Sequence, residues 1–365
     1  MEYVGKKISI IGNNASNKKI SDGGRIKIRL YKSLLEKNGV LVQLIELDHW
    51  KKHFFKLLFN ISTSIKEKQT ILIMAGPKGC RVIIPLVNFL NIKRRSRVVF
   101  CPLGIGTLDK LLKGKKTDEV NLFLSNKNYF SIKDEKMKKN LNKLDLIIPQ
   151  NDIIADCYKK YYGINNVKVV NNFRDVIIEQ KEYSPVDCFS IIFASRVCKE
   201  KGVLDLINVV SELNKNGYII KLDIFGEMQL DERDRALFES LLDNEIKYCG
   251  LLDQEDSIKQ MKKYDLFVLP TKYYGEGTSG SLIESFLSGT PALISSYSQA
   301  NLLIKDCVNG FIFNINDVND LRDKLIFIIN NKKMLEKVGV SAQHMAEKYT
   351  FAFNSKNFFK CILGD

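Results

Sequence analysis

Alternating strand and helix patterns run along the chain twice, and this feature restricts the fold more than any other. In residues 7–172, short apolar runs alternate with helical periodicity, and the apolar runs are KISIIG, VLVQLIEL, TILIMAG, RVVFCPLG, LDLIIPQ and VKVVNN. A second series follows with FSIIFAS, IKLDIFG, YDLFVLP and PALISS. This alternation is typical of βαβ units that build a parallel sheet. We therefore predict an α/β protein with two Rossmann-like domains.

The length of the chain agrees with two domains. It has 365 residues, of which 45% are hydrophobic. A chain of this length is longer than a single hydrophobic core usually serves. The polar segment EQKEYSPVD separates the two series. We predict a first domain over residues 1–180, a second over 186–347 and a terminal helix over 348–365. Ligands of such sheets bind beyond the carboxyl ends of the strands, so we expect the site residues in the loops that follow strands.

Cysteine usage and hydropathy indicate the cellular setting. The eight cysteines are scattered and form no C-x-x-C motif, which argues against a zinc site and against a disulfide scaffold. The first residues do not resemble a signal peptide. No apolar run approaches the roughly 20 residues of a membrane helix. We therefore expect a cytoplasmic protein.

Positive charge is concentrated in the first half. The net charge is +14, and residues 1–180 carry 34 Lys and Arg against 16 Asp and Glu. Such asymmetry favours an anionic partner, namely nucleic acid, a membrane surface or a phosphorylated substrate. The alternative is a lysine-rich surface that contacts only solvent. The segment DHWKKHFFKLLFN mixes Trp50 and Phe54, Phe55 and Phe59 with lysines, as interfacial helices do, although it also fits a helix packing Phe54, Leu57 and Leu58 on its sheet.

Arg196 and Lys201 follow the first strand of the second domain. They flank the predicted turn between FSIIFAS and the helix GVLDLINVV. The amino terminus of a helix offers free N–H groups and a partial positive charge. The side chains of Arg196 and Lys201 would add two full positive charges there. This arrangement predicts a diphosphate site. The alternative is that Lys199, Glu200 and Lys201 are the solvated start of a helix.

The segment GEGTSGSLIESFLSGTP joins a strand to a helix and contains two glutamates eight positions apart. Glu276 lies in the loop and Glu284 about one turn into the helix. Gly277 and Gly280 permit close approach of a ligand to backbone N–H groups, those of Thr278, Ser279 and Gly280. Two alternatives are a Ser281–Glu284 capping box and a Glu276 carboxylate that contacts only water.

Five spaced motifs resemble a known family. They are SRVCKEKG, IFGE, YCGLLDQEDSIKQMKKYDLFVLP, EGTSGSLIESFLSGTPALISS and IKDCVNGFIF, within residues 195–314. Together they resemble the carboxyl-terminal domain of the retaining nucleotide-sugar glycosyltransferases of family 4. That family has the GT-B fold, in which two Rossmann-like domains face a central cleft. Its Glu-x7-Glu pair has the spacing of Glu276 and Glu284.

The resemblance implies a role for each matching residue. Arg196 and Lys201 would bind the donor diphosphate, Glu276 the sugar hydroxyls and Glu284 the ribose hydroxyls. The remaining donor-site residues are Gly24, Gly226, Gly277, Thr278, Ser279, Gly280 and Ser281, with Leu251 and Leu252 at the nucleobase. The resemblance also implies retention without an enzyme nucleophile, and a donor of the UDP-sugar type rather than GDP-sugar. It implies no metal and no cofactor, and no D-x-D that would hold a divalent ion follows a strand.

The amino-terminal match is shorter. ISDGGRIKIRLYKSLLEKNG resembles the glycine loop and first helix of these enzymes, which would place Gly23, Arg25 and Lys27 at the acceptor, together with Gly104 and Gly106 of CPLGIGTLDK. The histidine that many members carry in this domain is missing, since the only histidines are 49, 53 and 344, and the usual E-G-F-G reads E-G-T-S-G. The segment KYTFAFNSKNFFKCILG resembles the terminal helix that crosses back to the first domain.

We therefore expect a retaining glycosyltransferase that moves a hexose-type sugar from a nucleoside diphosphate to a saccharide acceptor, carried on polyprenyl diphosphate, in surface polysaccharide synthesis. Its expected location is the cytoplasm, with peripheral contact to the inner face of the membrane and no nucleic-acid partner. Three alternatives remain. They are a nucleotide-sugar epimerase of the same fold, a synthase of the glycogen or sucrose type, and a non-catalytic basic module that binds membrane or nucleic acid.

Overall fold

The chain forms two compact α/β units. The computed structural model describes residues 3–13, 23–108, 134–183, 188–253, 256–273, 276–297 and 300–364. One unit comprises Met1–Asp175 together with Phe351–Asp365, and the other comprises Val176–Thr350. The sequence pattern had suggested 180 and 348 for these limits, a few residues from where the units divide.

The first unit is a parallel five-stranded sheet with helices between its strands. The strand order is β2-β1-β3-β4-β5, and every pairing is parallel. The elements are β1 Lys7–Gly12, α1 Gly23–Lys37, β2 Leu41–Glu46, α2 Phe54–Lys66, β3 Thr70–Ala75, α3 Pro77–Leu90, β4 Val98–Pro102, α4 Glu135–Leu141, β5 Leu146–Ile147, α5 Asp152–Tyr162 and α13 Phe351–Leu363.

The core of this unit includes the last helix of the chain. Strands β3 and β4 are buried nearly throughout, as expected of parallel strands covered on both faces. Helix α13 adds its aromatic residues to this core. The ring of Phe358 meets Tyr31 of α1 edge-on, with 4.7 Å between the ring centroids, and Phe359 stacks on Tyr3 at 4.6 Å.

The second unit is a parallel six-stranded sheet in the order β11-β10-β9-β6-β7-β8. Its elements are β6 Phe189–Ala194, α6 Val203–Lys215, β7 Ile220–Phe225, α7 Glu232–Ser240, β8 Ile246–Gly250, α8 Ser257–Met261, β9 Leu266–Leu269, α9 Gly280–Ser288, β10 Ala292–Ser295, α10 Ala300–Leu303, β11 Phe311–Phe313, α11 Val318–Asn330 and α12 Lys333–Met345.

The strand orders locate the crevice of each sheet. The chain first builds outward from β1 through β2 and then continues on the other side of β1 with β3. In the second unit the same reversal falls between β6 and β9. Ligands of open parallel sheets bind beyond the carboxyl ends of the strands at such a reversal. We therefore expect the ligand site of the second unit in the loops that follow β6 and β9.

Three details of the sheets differ from the sequence-based prediction. VKVVNN forms no strand, although Val167 makes an isolated bridge to Ile147. The strands β8 and β11 were not predicted. Both are edge strands. Strand β8 interrupts its apolar residues with a lysine, and β11 has only three residues, which are too few to show a period. None of the helices in the described part of the chain is long and apolar enough to cross a membrane.

Candidate donor-binding and catalytic site

The turn after β6 directs Lys201 into the protein. Residues Lys199–Lys201 form a single 3-10 turn before α6. Lys199 is exposed and pairs with Asp234 at 2.6 Å, whereas Lys201 is only 5% exposed. Gly202 follows with a φ of 70°, and a Cβ there would lie 2.1 Å from the carbonyl oxygen of Pro270. The interpretation as a solvated helix start therefore holds for Lys199 and is wrong for Lys201.

Lys201 pairs with Glu276. Its Nζ donates a hydrogen bond to Oε2 of Glu276, and the glutamate is only 8% exposed. The hydroxyl of Thr271 lies 3.3 Å from the same carboxylate oxygen. Glu276 is thus not a carboxylate that contacts only water. Removing both charges from water costs several kcal/mol, which the pairing has to offset.

The pair joins the two strands at which the strand order reverses. Lys201 follows β6 and Glu276 follows β9, and these strands are hydrogen-bonded neighbours. The Nζ of Lys201 also lies 5.9 Å from the centre of the Tyr273 ring. An ammonium group has three N–H donors, and within the described residues Lys201 uses one of them, on Glu276. The geometry therefore allows Lys201 to bind an anion as well.

Helix α9 begins at the same edge of the sheet. The hydroxyl of Ser281, in its first turn, donates to the carbonyl oxygen of Ala194, the last residue of β6, at 2.5 Å. Ser279 precedes the helix but makes no side-chain cap. The first N–H groups of a helix have no partner within it and carry the positive end of its dipole. They form a second source of positive potential beside Lys201.

Glu284 lies inside α9 and not in a capping box. The helix begins at Gly280, so Ser281 is its second residue and Glu284 its fifth. A capping box needs a Glu at the third helical position with the Ser just before the first. The capping-box alternative is therefore wrong. Glu284 is only 7% exposed, one helical turn beyond the amino terminus that follows Glu276.

The loop after β7 packs tightly on the loop after β6. Gly226 has a φ of 148°, and a Cβ there would lie 1.7 Å from the carbonyl oxygen of Ser195. Its N–H donates to the carbonyl oxygen of Gly250 at 2.8 Å. The hydroxyl of Tyr248 donates to the carbonyl oxygen of Gly226 at 2.9 Å. The ends of β6, β7 and β8 are thus in direct contact. No residue other than glycine fits at position 226.

Arg196, Leu251 and Leu252 lie in the loops that follow β6 and β8. Arg196 is half-buried, and its guanidinium donates to the side-chain oxygen of Gln229 at 3.3 Å. Leu251 and Leu252 directly follow β8. Leu251 is 45% exposed, and Leu252 packs partly on the core. The predicted diphosphate residues therefore follow β6 and the predicted nucleobase residues follow β8, and β7 lies between these two strands in the sheet.

Sequence reasoning missed three side chains near Glu276. They are Thr271 and Tyr273, which follow β9, and Tyr297, which follows β10. Tyr297 is 1% exposed, and its hydroxyl has no hydrogen-bond partner in the described ranges. Burial, and to a smaller degree the charge of Glu276, raises the pKa of Tyr297 well above its usual value. The available signal was position, since each residue lies just after an apolar strand.

The predicted acceptor residues of the first unit follow β1 and β4. Helix α1 begins with Gly23 and Gly24. Arg25 pairs with Asp48 at 3.6 Å. Lys27 is only 4% exposed, and its Nζ lies 5.4 Å from the centre of the Tyr31 ring. This nitrogen makes no hydrogen bond to any residue that the structure describes.

The two glycines after β4 both have a left-handed backbone conformation. Gly104 and Gly106 have φ values of 62° and 56°. A Cβ on Gly106 would lie 2.6 Å from the Cβ of Pro102 and 2.7 Å from the hydroxyl of Tyr158. Gly106 is therefore required by packing, whatever else it contacts. Across the described parts of both units, no three His, Cys, Asp or Glu side chains are grouped as a metal site would require.

The second unit is similar to known glycosyltransferases. A family model described as Glycosyl transferases group 1 matches residues 177–345, nearly all of the second unit. The glycosyltransferase MJ1069 of Methanocaldococcus jannaschii, uncharacterized, is 26% identical over 202 residues, which are 55% of this chain and 50% of that protein. The poly(ribitol-phosphate) alpha-N-acetylglucosaminyltransferase of Staphylococcus aureus is 24% identical over 216 residues, or 58% of this chain and 42% of that protein.

The fold resembles a solved structure over nearly the whole chain. HepE of Anabaena, in complex with UDP-glucose, has a TM-score of 0.71 at 15% identity, covering 98% of this chain and 100% of that one. The fold is therefore GT-B. The match to the glycosyl transferases of group 1 covers residues 177–345, which are just under half of the chain. The chain spans about half the length of the curated relatives that it matches.

Proposed function

We propose that the protein is a retaining glycosyltransferase that moves a sugar from a nucleoside diphosphate, UDP in preference to GDP, to a lipid-linked saccharide acceptor of a surface polysaccharide. One observation supports this proposal more strongly than the others do. The buried pair of Lys201 and Glu276 lies where the strand order reverses, within a group 1 glycosyltransferase domain.

The donor diphosphate would bind to Lys201, Arg196 and the amino terminus of α9. The remaining N–H donors of Lys201 are available for a phosphate oxygen, and Glu276 holds the ammonium group in place. Arg196 is half-buried on the neighbouring loop, where its guanidinium can bind a second phosphate oxygen. Glu276 has a second carboxylate oxygen, Oε1, which would accept a hydroxyl of the donor sugar.

The nucleoside would extend toward the loop after β8. Glu284 would accept hydrogen bonds from the ribose hydroxyls, and Leu251 and Leu252 would contact the base. Backbone groups of Gly226, Gly277, Thr278, Ser279 and Gly280 would contact the sugar and phosphates. The HepE structure was solved with UDP-glucose, and this supports UDP as the nucleotide.

The reaction exchanges one bond at the anomeric carbon. The bond from C1 to the diphosphate oxygen breaks, and the acceptor hydroxyl oxygen bonds to C1 on the same face. The leaving phosphate oxygen takes the acceptor's proton. Negative charge grows on the diphosphate in the transition state, and the fixed cation of Lys201 together with Arg196 is aimed at that charge. Loss of one such donor typically lowers turnover by about 10²- to 10³-fold.

The first unit would bind the acceptor through Gly23, Arg25, Lys27, Gly104 and Gly106. Its charge favours an anionic molecule, because residues 1–180 carry 34 Lys and Arg against 16 Asp and Glu. The Staphylococcus aureus relative is named for a poly(ribitol-phosphate) acceptor. This supports an acceptor that carries phosphate, as a polyprenyl-diphosphate saccharide does.

Helix α2 supports peripheral contact with an anionic membrane from the cytoplasmic side. Phe55 is 84% and Phe59 is 70% exposed, one turn apart on the helix. Lys52 and Lys56 are exposed beside them. The alternative of an ordinary packed helix fits Leu57, which is buried, but it does not account for these phenylalanines. Exposed aromatic residues next to lysines are typical of helices that lie in the membrane interface.

A thermal-shift screen with UDP, GDP, TDP and ADP tests the donor part. A nucleotide at 100 times its dissociation constant stabilises the folded protein by about 2.7 kcal/mol. We expect UDP to raise the melting temperature most, and Lys201→Ala to reduce that shift. A transfer assay with the matching nucleotide sugar then separates the enzyme from its alternatives: an epimerase returns an isomerised donor without acceptor, and a binding module consumes no donor. If none of the four nucleotides shifts the melting temperature, the donor proposal is wrong.

A further inference from the structure

A basic pocket lies in the first unit, at the end of the sheet opposite to Gly104 and Gly106. Its volume is about 290 Å³, and its walls come from the end of α3, from residues 94–97 before β4, and from Lys143 and Asp145 before β5. The strands are parallel, so the loops that follow β4 lie at the other edge. For a five-residue strand the two edges are about 16 Å apart, at about 3.3 Å per residue. The pocket is therefore separate from the proposed acceptor residues.

The charge of the pocket is positive. Four cationic side chains line it, those of Arg94, Arg95, Arg97 and Lys143, against one carboxylate, that of Asp145. The carboxylate is already engaged, because its Oδ2 accepts the backbone N–H of Val98 at 2.7 Å. Like charges at close range repel one another. Four cations around one small cavity thus indicate an anionic ligand.

Two polar groups in the wall are buried without a hydrogen-bond partner among the residues that the structure describes. Ser96 is 4% exposed, and its hydroxyl makes no hydrogen bond within the described residues. The same is true of Nε of Arg97, although Nη2 of that guanidinium donates to the carbonyl oxygen of Cys361 at 3.1 Å. A buried donor without an acceptor destabilises the folded protein by about 1–3 kcal/mol. A ligand with several acceptor oxygens would satisfy both groups.

The wall is held in place before any ligand binds. The side-chain amide of Asn91 donates to the carbonyl oxygen of Ser96 at 2.7 Å, and its oxygen accepts the N–H of Ser96 at 3.2 Å. Arg94 adopts a left-handed backbone conformation with a φ of 46°. Glycine adopts this conformation without strain, and arginine rarely does. Position 94 thus presents a cation where glycine would give the more stable loop.

We propose that this pocket binds a phosphate group. Tetrahedral phosphate accepts several charge-assisted hydrogen bonds, and guanidinium groups match its geometry. The volume is at the lower end of small-molecule sites, which fits a phosphate with a small substituent. Ile92 also lines the pocket and is 76% exposed, with Phe89 74% exposed one turn before it. The phosphate therefore comes either from a soluble phosphate ester or from the headgroup of an anionic phospholipid.

Calorimetry with inorganic phosphate tests the site directly. The titration is run with UDP in excess, so that a nucleotide site in the second unit does not contribute. We expect Arg95→Gln and Arg94→Gly each to weaken phosphate binding by about tenfold or more, on the scale of one charge-assisted hydrogen bond. Arg94→Gly should keep or raise the melting temperature, because it relieves the backbone. Lys93→Gln is the matched control: it removes an exposed charge next to the pocket and should bind phosphate as wild type does.

Vesicle sedimentation distinguishes the two sources of phosphate. The same variants are mixed with phosphatidylcholine vesicles that contain phosphatidylglycerol, and with pure phosphatidylcholine. Weaker binding of Arg94→Gly and Arg95→Gln, but not Lys93→Gln, to the anionic vesicles assigns the pocket to a lipid headgroup. Loss of phosphate binding alone assigns it to a soluble phosphate. If wild type and both pocket variants behave alike in both experiments, the pocket is not a phosphate site.

Discussion

The Nζ of Lys201 and the carboxylate of Glu276 form a buried hydrogen-bonded ion pair between the loops that follow β6 and β9. The two residues are 75 positions apart in the chain. Buried ion pairs contribute little net stability, because desolvation opposes the attraction between the charges. The pair therefore points to a role in binding, and its removal should affect activity more than folding.

Replacing Lys201 should lower turnover by about 10²-fold or more, because the growing charge on the diphosphate loses a fixed cation. Lys201→Ala is measured beside Lys199→Ala, which removes an exposed lysine two positions away and should retain activity. Lys201→Ala alone leaves a buried carboxylate unpaired and should destabilise the protein by about 3–5 kcal/mol. The double variant Lys201→Ala/Glu276→Gln should recover stability without recovering turnover. Recovery of both would make the pair structural only.

Arg196→Ala should also reduce turnover, with a smaller effect on stability. Its guanidinium is half-buried and, within the described residues, donates to the uncharged side chain of Gln229, so no buried charge is left behind. Gln229→Ala is the matched control, since it removes the partner and keeps the cation. Steady-state kinetics with the donor in excess gives the comparison. Equal turnover in Arg196→Ala and wild type would remove this residue from the diphosphate site.

The two glutamates should differ in what they recognise. Glu284→Gln should weaken both the free nucleoside diphosphate and the sugar donor, because the ribose is present in both. Glu276→Gln should mainly weaken the intact donor, since only the donor carries the sugar. Calorimetry with both ligands on both variants makes the measurement. Wild-type affinity of Glu284→Gln for the nucleoside diphosphate would assign Glu284 to the packing of α9, in which it is buried.

The location of this site was largely predictable from sequence, and its contacts were not. Arg196, Lys201 and Glu276 each follow an apolar strand, and parallel strands place such loops at one edge. The sequence does not specify that β9 pairs with β6, so the direct contact of Lys201 with Glu276 could not be predicted. Tyr297 was not predicted for the same reason, because its proximity to Glu276 depends on the order of the strands in the sheet.

The first residue of α9 excludes one alternative that the sequence left open, namely a capping box at Glu284. A serine three positions before a glutamate suggested a capping box, which requires a helix that begins at residue 282, but the helix begins two residues earlier, at Gly280. The hydroxyl of Ser281 is drawn instead to the carbonyl oxygen of Ala194 at the end of β6. Such a long-range bond outweighs the local preference for a cap. Short edge strands such as β11, with three residues, were missed because so few residues carry no clear period.

Lys181 should make the stability of the protein depend on pH. Its Nζ donates to the carbonyl oxygen of Tyr264 and to the hydroxyl of Thr290, the latter at 3.0 Å. Burial lowers the pKa of Lys181 from 10.5 to about 8. Between these values the unfolded chain holds a proton that the folded protein has lost, so the free energy of unfolding rises with pH. The gain between about pH 8 and pH 10.5 is at most about 3 kcal/mol.

Urea unfolding of wild type and Lys181→Met over pH 7–10.5 checks this sign, because other titrating groups contribute equally to both proteins. We expect the stability of wild type to rise relative to the variant as pH rises. A constant difference between the two curves would show that the pKa of Lys181 is the same in the folded and unfolded chain.

Activity should not depend on a divalent metal. The proposed charges on the diphosphate come from Lys201, Arg196 and the amino terminus of α9. Treatment with EDTA should therefore leave the transfer rate largely intact when the acceptor is water-soluble. A loss that Mg²⁺ or Mn²⁺ fully restores would contradict this assignment. The soluble acceptor is necessary because divalent ions also act on anionic lipid surfaces.

Helix α2 should dock the protein on anionic membranes. Lys51, Lys52 and Lys56 are exposed beside Phe55 and Phe59. Each lysine near such a surface contributes about 1 kcal/mol, so changing all three to Glu should abolish weak peripheral binding. The control changes three exposed lysines of the second unit, Lys215, Lys333 and Lys337, with the same change in net charge.

Sedimentation with anionic vesicles at low and high salt measures this docking. The Debye length falls from about 10 Å at 0.1 M salt to about 3 Å at 1 M, so electrostatic binding of wild type should fall as well. Phe55→Ser/Phe59→Ser should weaken binding at both salt concentrations, because these side chains contribute apolar contact that salt does not screen. The donor residues lie in the other unit, so the α2 variants should keep donor affinity while losing activity on a membrane-embedded acceptor. Wild type that stays in the supernatant at low salt would refute membrane docking, and the basic surface would then contact the phosphates of the acceptor or solvent alone.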